Sequence, residues 1–233
     1  MGTDGSVTDN TGGTPYSAGY SYIANSPLVS QITFKQGATT RMTTSKSYDY
    51  LNRLTSISSA AAGGTNSFAC SYNSANQRTG VTNVDSSKWV YGYDSLGRVT
   101  SGKKYWSDGT MVARQQFGHA FDDIGNGTQT QAGGSQSGSG LRTSSYAANN
   151  LNQYTSRTVP DAVDIIGTAT NIATVTVNDQ RPYRKGNYFW EQLTLDSSAN
   201  PVWADVTNMA VLNNGSSPDI TQGPCKGHPL QGS

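Results

Sequence analysis

The sequence predicts an all-β protein: antiparallel β-hairpin repeats that form a curved or spiralling sheet, followed by a small β-module. Three observations carry this prediction. Charged residues are only 13% of the 233, against about 25% in ordinary soluble domains. Ser, Thr, Asn, Gln, Gly and 13 Tyr take their place; Thr and Tyr fit pleated strands, while Gly and Asn supply turns with positive φ. Aromatic anchors recur at Tyr22, Tyr48, Tyr72, Tyr93, Phe121 and Tyr146, 21 to 28 residues apart, a period typical of stacked or wound repeats. Each anchor ends an alternating run and opens a turn, which is the grammar of a hairpin.

Taken in order, residues 1–15 lack alternation and are expected to be disordered. Residues 16–157 carry the repeats. Phe68, Cys70 and Tyr72 share one strand face, as do Trp89, Tyr91 and Tyr93, then Phe117, His119 and Phe121. Period two with aromatic residues predicts strands with one face buried. The turns that follow read Asn73-Ser74-Ala75-Asn76, Asp94-Ser95-Leu96-Gly97 and Asp122-Asp123-Ile124-Gly125. Asp or Asn at the first place accepts a hydrogen bond from a backbone N–H two residues on, and Gly or Asn three later tolerates positive φ. A second strand then leaves, as at Arg53-Leu54-Thr55 and Arg98-Val99-Thr100. One hairpin cannot bury its face alone, so neighbours must stack. Residues 131–140, rich in Gly and Ser, are expected to be a loop. Residues 158–212 break the spacing but alternate Val175 with Val177 and turn at Asn178-Asp179 and Lys185-Gly186-Asn187, which predicts a small β-module. Residues 213–233 show no periodicity and are expected to be a disordered tail, dispensable for folding.

The stretch Tyr93-Asp94-x-x-Gly97-Arg98-Val99 resembles the YD repeat of the Rhs family, also found in teneurins. Tyr48 to Leu54 is similar, with Asn52 in the glycine place. Phe121 to Asn126 resembles the motif with Gly127 where Arg is common. The resemblance covers about residues 16–157, roughly six units, and implies a long β-ribbon spiralling into a hollow shell that acts as a container or surface, secreted or at the surface of a bacterial cell. The chain has no Asp-Pro, which accompanies self-cleavage in Rhs cores, and no recognisable toxin domain. It reads as a fragment of a larger repeat protein.

Composition narrows the function. Net charge is +1 and no basic stripe exists, so nucleic acid is not an expected partner. No run of about 18 apolar residues implies a membrane span, and the first residues lack a signal-peptide pattern. Cys70 and Cys225 are read as free thiols. No phosphate loop, Gly-x-Ser-x-Gly or paired-His metal motif is present, so neither cofactor nor metal is expected. Cys225-x-x-His228 has the spacing of half a zinc site, with no obvious other half.

Three readings remain. The first is a structural or interaction fragment without chemistry of its own, joining other copies through exposed strand edges. The second is a module for glycans or peptides, using Trp89, Tyr91, Tyr93, Tyr105 and Trp106 as a stacking platform. The third is a weak hydrolase built on His119, Asp122, Asp123 and Asp108, since a His beside carboxylates can act as a general base. Against the third, Asp122 and Asp123 also suit turn capping, and His119 occupies an aromatic slot of the repeat.

Overall fold

In the computed structural model, residues 5–9, 11, 13–197, 202–213 and 218–226 are described, and among them there is no helix. Thirteen strands follow one another in sequence order in one antiparallel sheet: β1 (Gly5–Asp9), β2 (Tyr16–Tyr22), β3 (Val29–Gln36), β4 (Thr39–Tyr48), β5 (Leu54–Ala61), β6 (Gly64–Tyr72), β7 (Arg78–Asn83), β8 (Lys88–Tyr93), β9 (Val99–Tyr105), β10 (Met111–Phe121), β11 (Gly127–Gly133), β12 (Leu141–Ala148) and β13 (Tyr154–Arg157). Two three-stranded sheets follow. One has the order β14 (Ala162–Thr168), β17 (Tyr188–Thr194), β16 (Tyr183–Lys185); the other has β15 (Thr174–Val177), β18 (Asp205–Asn213), β19 (Pro218–Lys226). The chain divides into two compact units, Met1–Met111 and Val112–Ser233. That division falls inside the repeat stretch, not at 157/158.

In the first unit the register settles the two faces. Cys70 pairs with Val81, Val81 with Trp89 and Trp89 with Lys104, and Lys46 pairs with Ile57, then Phe68. Alternation therefore puts Tyr48, Tyr72, Tyr91 and Tyr93 on one face. On β4 to β7 the opposite face carries mostly small residues with hydroxyl groups, as in the row Ser45, Ser58, Ser67 and the row Ser47, Ser56, Ala69, Thr82. The aromatic face is only half-buried, contrary to expectation: Phe68 remains 39% exposed, and among the described residues of this unit the buried ones that are not glycine are Thr44 and Ser87. A sheet face is fully buried only beneath a second layer. Here the rings instead shelter against one another and under arginines, with the Arg53 guanidinium 4.8 Å from the Tyr72 ring centre.

Complete hydrophobic burial is found in the second unit. Val175, Val177 and Val206 from one small sheet meet Phe189 from the other, with Ile165, Leu193, Ala169 and Ala210 around them. This is a two-layer β core, and each buried Val or Phe contributes roughly 1.5–3 kcal/mol. Gly167 pairs with Phe189, and a Cβ at Gly167 would stand 2.5 Å from that ring. The missing side chain is what lets the ring lie on the backbone.

Both ends of the chain depart from the expected disorder. Gly5–Asp9 pair with β2, and Pro218–Lys226 pair with β18 from Asn213↔Pro218 to Asp205↔Lys226. Strand edges carry unpaired backbone donors and acceptors, and an adjacent chain can satisfy them without any side-chain alternation. Sequence patterning is blind to that. The remaining ends, 1–4 and 227–233, lie outside the described residues.

Candidate functional site

The most developed polar arrangement is a ladder of turns, repeated almost atom for atom. In the turn after β4, Asp49 Oδ1 accepts from Leu51 N at 2.9 Å and Arg53 N at 3.0 Å, while Oδ2 accepts from Arg53 Nε at 2.6 Å. After β8, Asp94 does the same with Leu96 N, Arg98 N and Arg98 Nε, at 3.0, 2.9 and 2.6 Å. Asn73 caps Ala75 N and Gln77 N, and its Nδ2 donates to Gln77 Oε1 at 2.6 Å. Asn149 repeats this with Leu151, Gln153 and Gln153 Oε1. Asp122 caps Ile124 N and Asn126 N, and takes Asn126 Nδ2 on Oδ2 at 2.9 Å. The residue in the arginine place is therefore Asn126, one position before Gly127. The fourth turn residue has positive φ each time: Asn52, Asn76, Gly97, Gly125 and Asn152.

Side chains also lace one turn to the next. Arg53 Nη1 reaches Asn73 O at 3.2 Å and Asn76 Oδ1 at 2.9 Å. Asn126 Nδ2 reaches Asn152 Oδ1 at 3.3 Å. The anchor tyrosines tie the far side of the hairpin: Tyr48 Oη donates to Val29 O, Tyr72 Oη to Leu54 O and Tyr93 Oη to Arg78 O, at 3.1, 2.9 and 2.7 Å. In each case the acceptor is the first residue of a strand that leaves the preceding turn.

Sequence reading missed the residue that bends each unit. A register shift stands directly before Tyr22, Tyr48, Tyr72, Tyr93, Phe121 and Ala148. The residues skipped by the pairing are Ser30, Thr55, Thr79, Thr100, Thr128 and Thr155. An extra residue at a fixed place gives every hairpin the same bulge and the same local bend. The signal was a hydroxyl residue two places after the arginine position.

These bonds decide the chemistry open to the acidic candidates. Both oxygens of Asp122 are engaged in capping. Burial raises its pKa, but the Asn126 side chain and the backbone N–H groups outweigh this and hold it below the ordinary value. Asp94 is held low by the Arg98 side chain. Asp108 caps its own turn through Thr110 N and Oγ1, at 2.9 and 2.7 Å, and belongs to the first unit, whereas His119, Asp122 and Asp123 belong to the second. His119 and Asp123 are exposed. Among the described residues no three His, Cys, Asp or Glu side chains gather as a metal site would need. His228 and the Cys225 side chain lie outside the described residues.

The aromatic candidates separate too. Trp89 and Tyr91 stack in parallel, with centres 6.4 Å apart and planes 1° from parallel, and Tyr93 shares their face. Tyr105 pairs with Lys88, next to the Trp89–Lys104 pair, so it lies on the opposite face. Trp106 opens the turn that ends at Thr110. The five do not make one platform.

One further ionic centre was not anticipated. The Asp164 side chain, 4% exposed, receives a two-pronged contact from Arg142, a bond from Trp190 Nε1 at 2.8 Å and Arg114 Nε at 3.6 Å. Burial raises the Asp164 pKa, but Arg142, Trp190 and Arg114 reverse this and lower it. Arg114 adopts positive φ, with its N–H bound to Gly134 O at 2.7 Å. Beside it the Tyr188 hydroxyl donates to Ala113 O at 2.8 Å, and burial pushes its pKa up to about 12. The centre fastens β14 and β17 to β10 and β12. A single Asp inside the apolar run Ala162–Thr168 was the available clue.

Residues 72–110, which include the Asn73 and Asp94 turns, match the family model described as RHS repeat. No curated protein matches the chain.

Proposed function

We propose that the chain is a structural or interaction fragment of a YD-repeat shell protein, with no chemistry of its own, working at the cell surface or after secretion. The observation that carries this reading is the commitment of Asp49, Asp94 and Asp122 to capping and lacing turns. A catalytic carboxylate needs an oxygen free for substrate; these serve the backbone. The RHS repeat match over 72–110 supports the same role. Exposed backbone along the terminal strands of the sheet would join copies of the chain, since unpaired strand edges invite pairing.

The test is a pair of substitutions. His119→Ala should leave the melting temperature unchanged and Asp122→Ala should lower it, and neither should alter hydrolysis of a nitrophenyl ester and phosphodiester panel. Turnover that disappears with His119→Ala would overturn the reading in favour of a hydrolase. The parallel Trp89–Tyr91 pair favours a second reading, glycan or peptide binding through ring stacking. Quenching of tryptophan fluorescence on glycan titration, lost in Trp89→Ala, would support it.

A further inference from the structure

Asn126 is followed by Gly127, a pair that the other capped turns lack: Arg53 precedes Leu54, Gln77 precedes Arg78, Arg98 precedes Val99 and Gln153 precedes Tyr154. The pair is chemically vulnerable. A backbone nitrogen can attack the side-chain amide carbon of the asparagine before it, and this is one reason asparagine counts among the thermolabile residues. Glycine makes the attack easiest, because it has no side chain to screen that carbon and its backbone is the least restricted.

Separate partners hold the two reacting groups. Gly127 N–H donates to Tyr154 Oη at 2.9 Å. Asn126 Nδ2 donates to Asp122 Oδ2 at 2.9 Å and to Asn152 Oδ1 at 3.3 Å. Attack requires a near-contact geometry, and these bonds must open to reach it. Tyr154 is itself an exception in the repeat. Tyr48, Tyr72 and Tyr93 stand at anchors and pair with Leu54, Arg78 and Val99; here Ala148 holds the anchor place and pairs with Tyr154. The ring has moved to the partner strand, and its hydroxyl meets an N–H where the anchors meet a carbonyl. A phenol can do either. A Cβ at Gly127 would stand 3.3 Å from Tyr154 Oη, tighter than ordinary contact. The glycine that seats the tyrosine is thus the one that leaves Asn126 open to attack. Tyr154 is 56% exposed, so its bond can open locally without disturbing a core.

We propose that Asn126 is a deamidation site held closed by the fold, with Tyr154 as its latch. When the latch opens, the Gly127 nitrogen, its proton lost to solvent, adds to Asn126 Cγ. The bond from Cγ to Nδ2 then breaks, and the amide nitrogen takes a proton from water and leaves as ammonia. Water opens the resulting cyclic imide at one carbonyl or the other, giving aspartate or isoaspartate. Either product puts a second carboxylate against Asp122 Oδ2, where like charges repel, and isoaspartate adds a backbone carbon directly before β11. The turn loses its cap, and the modification loosens the β10–β11 hairpin in one direction only.

The experiment incubates the full chain in mildly alkaline buffer, folded and in urea, and follows residue 126 by peptide mass mapping. Mapping by position is needed because Asn214-Gly215 repeats the dipeptide. Conversion should be slow in the folded chain and fast in urea. Tyr154→Phe keeps the ring and removes the acceptor; it should raise the folded-state rate about fivefold, the factor set by one hydrogen bond of ordinary strength. Tyr146→Phe removes a neighbouring hydroxyl, which lies 3.3 Å from Thr130 Oγ1, and should leave the rate unchanged. Aspartate and isoaspartate should both appear, and the converted chain should melt at a lower temperature. Equal rates in buffer and urea, a Tyr154→Phe rate no faster than that of the unaltered chain, or equal acceleration by Tyr146→Phe would overturn the proposal. So would aspartate without isoaspartate, since the cyclic imide would then not lie on the route, or an unchanged melting temperature after conversion.

Discussion

Asp94 and Asn73 occupy the same place in successive turns, yet they choose different partners. A carboxylate only accepts, so Asp94 takes the Arg98 guanidinium; an amide can donate, so Asn73 gives Nδ2 to Gln77 Oε1. Asp goes with Arg at 49/53 and 94/98, and Asn with Gln at 73/77 and 149/153. Asp94→Asn alone leaves Arg98 without its anion and should lower the melting temperature. Adding Arg98→Gln should recover most of the loss, although both single variants are destabilised. Thermal melts of the four chains form a double-mutant cycle, and additive losses would refute the pairing rule. The motif's first residue was legible because turn capping is a local property. Its matching with the fifth residue was not, because both side chains must first be turned toward each other by the backbone.

At the scale of the element, each hairpin depends on one residue with positive φ. Gly97 has φ 83°, a region that costs an ordinary residue roughly 1–2 kcal/mol. Its three Asn counterparts, Asn52, Asn76 and Asn152, hold φ near 60°. Gly97→Asn should therefore be tolerated, while Gly97→Val should cost about 2 kcal/mol or more, since a β-branched residue is least suited to that region. Urea melts of the two variants compare them directly; equal midpoints would mean the turn is not constrained as described. A Cβ at Gly97 would come within 3.1 Å of Gln77 Nε2, but that flexible end can move, so the backbone decides. The strands and these turns were readable from alternation and from Gly or Asn at the fourth place. The bulge opposite each anchor was not, because one extra Ser or Thr breaks the alternation of the partner strand only at its first residues, too short a stretch for spacing to reveal.

For the molecule as a whole, the second unit rests on a buried charge. Asp164→Asn would leave Arg142 and Arg114 without their anion and should destabilise by about 3 kcal/mol, the scale of a broken buried pair, or roughly 6–12 °C in melting temperature for a chain of this length. The pH dependence has a definite sign. Asp164 titrates below its ordinary value of 3.8 in the folded chain, so its contribution is present above that value and disappears as pH falls through the folded pKa. Acid melts should show a larger loss below about pH 4 in the unaltered chain than in Asp164→Asn; parallel curves would remove Asp164 from the account. Self-association is tested at the same scale. Light scattering should give a mass about twice 24.7 kDa at high concentration, and a constant monomer mass would defeat the proposed edge pairing.

The sequence by itself determined the class of the protein, the repeat spacing and the turn chemistry. Tyr48, Tyr72 and Tyr93 share a face, and Asp49 and Asp94 cap their turns. These features are set by neighbours in the chain, where alternation and local hydrogen bonds act within a few residues. Tertiary structure decided what depends on residues far apart. It joined Arg142 and Trp190 to Asp164, gathered the apolar core in the module after the repeats, paired Pro218–Lys226 with β18 and put Tyr105 on the face away from Trp89. Burial and strand pairing are properties of the layer that comes to lie alongside, and no single stretch of sequence contains its own neighbour.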